Sequence, residues 1–140
     1  MFKSLTIVAL FLLGTVAVAA VADGTSRSPK TVMAHHIAVL KKNDVDGLMA
    51  DYAEDAVAVL PSGTFIGFGK IRQHFESLAA ERRDWSTYNV TQEVLDSGVV
   101  LQHRIETGGV EVFVVRNGKI VFQALQSAGQ APPPAKNGGA

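Results

Sequence analysis

Apolar residues along this chain recur first at helical spacing and later at strand spacing, and the change falls near Trp85. Val32, Met33, His36, Ile37, Val39 and Leu40 follow Pro29 at intervals close to i, i+3, i+4 and i+7, which predicts an amphipathic helix beginning at that proline. Lys41 and Lys42 suit its C-terminal end, and Asn43 or Asp44 caps a second helix with the stripe Val45, Leu48, Met49 and Tyr52. Gly47 costs that helix about 1 kcal/mol relative to alanine, so docking must hold it in place. Ala56 to Leu60 and Thr64 to Ile66 flank Pro61-Ser62-Gly63 and predict two strands around a tight turn. Gly67-Phe68-Gly69 then leads into a third helix over Lys70 to Arg83, with Ile71, His74, Phe75 and Leu78 on one face.

Beyond that point the pattern predicts strands at Trp85 to Leu95, Val99 to Thr107, Val110 to Arg116 and Ile120 to Gln126. Asp96-Ser97-Gly98, Gly108-Gly109 and Asn117-Gly118 separate them, and Asn-Gly is the strongest hairpin signal in the chain. Turns this short force neighbouring strands to run antiparallel. The fold class is therefore α+β, three helices packed on a curved antiparallel sheet.

Both ends fall outside this pattern. Lys3, the apolar run Leu5 to Leu13 and the small-x-small triplet Ala20-Val21-Ala22 make residues 1–22 an export signal, which places the protein in a periplasm or the secreted fraction. Once that segment is cleaved, no stable membrane insertion is expected. Residues 23–29 form a polar lead-in, 30–127 the folded domain, and 128–140 a disordered Pro/Gly-rich tail.

Composition narrows the function. The 13 Lys+Arg balance 13 Asp+Glu, and this zero net charge argues against a nucleic-acid partner, which needs a basic stripe. With no Cys there is no disulfide framework, thiolate nucleophile or thiolate metal site. The four His are scattered, and His35-His36 project about 100° apart on a helix, so no metal is expected. Gly67-Phe68-Gly69 lacks the third glycine of a dinucleotide loop, and no cofactor is implied.

The remaining candidates are polar groups at apolar positions. His36 interrupts the stripe of the first helix. Strand parity sets His103 on one face with Val99, Leu101 and Ile105, which points it toward the core, and sets Glu111 with Phe113 and Val115. An acid on an apolar face is unusual unless paired or functional. If His36, His103 and Glu111 converge, a neutral histidine can act as base while Glu111 orients it or donates as an acid. Tyr52, Phe65, Trp85, Tyr88, Phe113 and Gln123 are the available ligand-binding wall.

The order of elements and three local phrases resemble the nuclear-transport-factor-2-like superfamily, in its SnoaL-like and ketosteroid-isomerase-like branch. The phrases are Asn43-Asp44-Val45-Asp46-Gly47-Leu48-Met49 with Tyr52-Ala53-Glu54-Asp55-Ala56; Gly67 with Lys70-Ile71-Arg72 and Phe75; and Val110-Glu111-Val112-Phe113 before Asn117-Gly118-Lys119-Ile120-Val121. The resemblance implies a cone-shaped α+β barrel with an apolar pocket between helices and sheet, and a homodimer formed through the sheet. It also implies ketosteroid-isomerase roles at three positions. The base position falls on Leu60, which cannot accept a proton; the first-helix tyrosine position falls on His36; the acidic donor position falls on Glu111. The usual ketosteroid-isomerase mechanism is therefore not expected. The resulting expectation is an exported protein that binds a small hydrophobic molecule, with acid/base isomerase, lyase or cyclase chemistry. The alternatives are a non-catalytic carrier and a dimeric interaction module using Val110, Val112 and Val114.

Overall fold

A computed structural model describes residues 26–129 of the 140. The export signal and all but the first two residues of the C-terminal tail lie outside the described residues. The elements run α1 (Pro29–Leu40), α2 (Val45–Met49), β1 (Tyr52–Leu60), β2 (Gly63–Ile66), α3 (Phe68–Ala80), β3 (Val90–Val94), β4 (Val99–Arg104), β5 (Val110–Arg116) and β6 (Lys119–Gln126). Three helices thus pack against one six-stranded sheet, an α+β fold.

Local chemistry explains the helix starts. Ser28 caps α1 by accepting from the Thr31 amide at 3.2 Å, with Pro29 in the first turn, and Asp44 caps α2 by accepting from Gly47 N at 2.9 Å. Gly47 sits under tight packing: a Cβ there would lie 2.6 Å from Asp44 Oδ2 and 2.7 Å from a Val39 methyl, so the capping carboxylate and the buried valine would both have to shift. The second helix is shorter than the stripe predicts. It ends at Met49, and Tyr52 opens β1 instead of closing the helix.

The sheet order is β2-β1-β6-β5-β4-β3. Every neighbouring pair is antiparallel except β1 and β6, which run parallel, a pairing that joins the chain's first and last strands and that no local turn encodes. Asn117 and Gly118 take φ of 50° and 72°, the left-handed pair that a tight hairpin needs, and Arg116 pairs with Lys119 across them. Register shifts at Val114/Val115 and between Tyr52 and Val57 mark where the sheet bends.

Two differences from the predicted elements matter for the site. Residues 85–89 form a turn, not the start of a strand, and α3 ends at Ala80. The inner sheet face carries Ala58, Gln123, Phe113 and Val100 in one cross-strand row and Leu125, Glu111 and Gln102 in the next. Helices cover this face, and Val32, Met33, Val39, Leu40, Leu48, Met49, Ile71 and Phe75 supply the core against it.

Candidate functional site

Register brings Glu111 directly opposite Gln102 on β4 and Leu125 on β6, under the helices. Glu111 is 2% exposed and acts as the hub of a polar network. Gln123 Nε2 donates to Oε1 at 2.6 Å, while the Tyr88 hydroxyl at 3.1 Å and Arg104 Nη2 at 3.2 Å both donate to Oε2. Tyr52 donates to Gln123, and the Tyr88 hydroxyl also reaches Gln102 Oε1 at 3.1 Å. Three donors converging on one carboxylate, one of them a guanidinium, suit an acceptor-only acid better than a proton donor. Burial, reinforced by the Glu111 charge, pushes both tyrosine hydroxyls above their ordinary pKa, so each stays a donor at neutral pH.

A pocket of about 450 Å³ opens above this network. Its polar lining includes His36, Tyr88, Arg104, Glu111 and Gln123, with His74, Glu81 and Arg83 from the α3 side, and its apolar lining includes Leu40, Leu60, Phe75, Leu78, Trp85 and Leu125. His36 is 3% exposed and packs edge-on against Phe113 and Tyr52, with ring centroids 5.5 Å and 5.7 Å away. Burial lowers its pKa below 6.5 despite the opposing charges of Glu111 and Asp51, so the imidazole is neutral at pH 7. Trp85 is held at the pocket by its indole N–H, which donates to Asn43 Oδ1 at 3.1 Å, and it meets Tyr88 edge-on at 6.0 Å. Arg104 lies over the Tyr88 ring at 5.0 Å and keeps a buried Nε with no partner.

The structure brings His36, Glu111, Trp85, Tyr88 and Gln123 into one pocket and leaves four other candidates out of its lining. His103 is exposed on the outer sheet face opposite Val110, so it takes no part in the pocket. The parity was read the wrong way round: Val100, Gln102 and Arg104 point inward because their row pairs with Phe113 and Glu111, and the more apolar row points out. Tyr52 and Phe113 are buried beneath the pocket and support it from behind, Tyr52 through Gln123 and Phe113 through the His36 ring. Phe65 stacks on His74 at 4.4 Å and lies outside the lining. Sequence reasoning gave Arg104 as a salt-bridge partner open to Glu111, which the 3.2 Å contact bears out, left the facing of Gln102 open, and missed Asp51; pairing β4 with β5 across Gly108-Gly109 is the signal that turns the first two inward.

The sequence matches the SnoaL-like domain over residues 33–123, which includes every strand from β1 to β5 and His36, Tyr88, Arg104, Glu111 and Gln123 of the pocket. The chain belongs to the SnoaL-like family. Similar solved structures carry this SnoaL-like fold at low identity. One is an NTF2-like protein of unknown function from Cytophaga hutchinsonii, 10% identical, with a TM-score of 0.54 over 74% of this chain and 93% of that one. A second is a SnoaL-like protein of unknown function from Burkholderia thailandensis, 16% identical, with a TM-score of 0.56 over 72% and 94%. A third is TerC co-crystallised with polyporic acid, 13% identical, with a TM-score of 0.55 over 71% and 90%. No curated protein matches the sequence. Among the described residues of this SnoaL-like domain, no group of three His, Asp or Glu is placed to hold a metal ion, and no helix is long and apolar enough to cross a membrane.

Proposed function

We propose that this SnoaL-like domain binds a small hydrophobic carbonyl compound and moves a proton on it without a cofactor, as an isomerase, lyase or cyclase, outside the cytoplasm once the leader is removed. One observation carries the reading: a buried histidine, whose pKa burial lowers, and a carboxylate–guanidinium pair line a single pocket of mixed polar and apolar walls. His36 takes the α-proton and becomes an imidazolium, leaving an enolate. The guanidinium of Arg104 lies where it can offset charge on the enolate oxygen. Return of the proton to a different carbon completes an isomerisation. Glu111 holds Arg104, Tyr88 and Gln123 in place and is the anchor of the network, a different part from the acidic donor that the ketosteroid-isomerase resemblance implies.

The experiment is proton–deuterium exchange of a panel of apolar enolisable ketones in D2O, followed by proton NMR with and without the protein. Binding is followed in parallel through Trp85, the chain's single tryptophan, which lies on the pocket wall. Exchange accelerated by the protein supports the reading; quenching of Trp85 without exchange supports a non-catalytic carrier, which Leu60 at the base position favours. A second reading concerns assembly. The outer sheet face presents Val99, Leu101, Val110, Val112, Val114 and Phe122, with Ile66 68% and Ile105 64% exposed beside them, and this supports a homodimer formed back to back.

A further inference from the structure

Asp51 sits in the turn between α2 and β1 and is completely buried. An ionised carboxylate there is costly unless paired. Arg27 Nη1 meets Oδ1 at 2.9 Å, and His35 Nδ1 lies between the two oxygens, 3.0 Å from Oδ1 and 2.9 Å from Oδ2. Neither partner reaches the pocket. The adjacent residue His36 turns its Nδ1 to within 3.8 Å of Asp51 Oδ2, and that nitrogen is buried with no hydrogen-bond partner. At 3.8 Å the pair is longer than a hydrogen bond, so Asp51 acts on the imidazole proton through its charge across a buried gap.

The groups facing His36 come from three elements: Glu111 on β5, Asp51 before β1, and His35 beside it on α1. Asp51 Oδ2 is the carboxylate oxygen that comes to 3.8 Å from a His36 nitrogen, whereas both Glu111 oxygens are held by Gln123, Tyr88 and Arg104. We propose that Asp51 is the positioning residue of His36: it holds the imidazole proton on Nδ1, so that Nε2 meets the pocket free of a proton and able to accept one. The inference rests on the reading of His36 as the base. Arg27 and His35 then have a defined part, since they hold the Asp51 carboxylate from outside the pocket, with Oδ2 shared between His35 and His36.

The test is the tautomer of His36, read from nitrogen-15 shifts of histidine-labelled full chain without ligand at about pH 8, where an ordinary histidine is neutral. The expected result is a protonated Nδ1 and an unprotonated Nε2. In Asp51→Asn, Arg27 demands the amide oxygen at the Oδ1 position, which turns the amide N–H toward His36, and the proton is expected to move to Nε2. A proton on Nε2 in the unmutated chain overturns the proposal even if the variant does not fold. So does a folded Asp51→Asn protein with the tautomer unchanged. A proton on Nδ1 that moves in the variant supports the role of Asp51 even where no ketone exchanges, a result that would instead count against proton transfer.

Discussion

His36 shows how one residue carries both stability and chemistry. Its folded pKa lies below 6.5, chiefly because burial penalises the charged form. Between the folded pKa and 6.5 the unfolded chain binds more protons than the folded one, so stability rises with pH across that window. It is fully present above 6.5 and is lost as pH falls toward the folded pKa. His74, partly buried against Phe65 and near Arg83, shifts in the same direction. We expect the melting temperature to drop between about pH 7.5 and about pH 5.5, and to drop less in His36→Gln; thermal melts of both proteins at the two pH values check this. An equal drop in both would assign the pH dependence elsewhere. His36 and Glu111 were legible in the sequence because each breaks an apolar row. His103 was misread because alternation along one strand separates two faces without saying which meets the helices. The answer lies in the pairing of Gln102 with Glu111. Asp51 left no trace at all, since its partners come from Arg27 and His35, distant in sequence from it.

At the scale of elements, the helices and hairpins follow from caps and turn residues, and the errors fall where tertiary contacts override local pattern. Trp85 and Tyr88 read as strand residues, yet they belong to a turn anchored by Asn43 and Glu111, which puts both rings on the pocket. Gly47 makes the same point energetically. Helix propensity alone favours alanine there by about 1 kcal/mol. A methyl group would collide with Val39 and with the capping Asp44 carboxylate, so packing opposes the substitution. Gly47→Ala is expected to destabilise the protein by about 1–3 kcal/mol, as overpacking does, measured by urea unfolding; a stabilised variant would show that α2 relaxes freely. The short α2 then ends at Met49 with two residues left before Tyr52, leaving Asp51 in the turn between them.

The whole molecule is a sheet with two different faces. The inner face is closed by helices around a polar network, and the outer face carries Val99, Leu101, Val110, Val112, Val114 and Phe122, with Thr91, Glu93 and His103 toward the β3 edge. The α+β class and the three-helix order were legible from the sequence, but the parallel β1–β6 pairing was not, because no turn joins those strands. Burial of the outer face in a homodimer predicts twice the chain mass in sedimentation velocity, and Leu101→Glu, at its centre opposite Val112, is expected to give a monomer with Trp85 quenching retained. A monomeric unmutated chain at high concentration would remove the dimer. The account as a whole stands on His36 moving a proton inside the pocket. Its most direct test is the pH profile of ketone proton–deuterium exchange for the unmutated protein and for His36→Gln. The account predicts a rate that climbs as His36 loses its proton below pH 6.5 and then levels off, and a loss of about 10²-fold or more in the variant. Exchange that persists in His36→Gln with the same profile would contradict it.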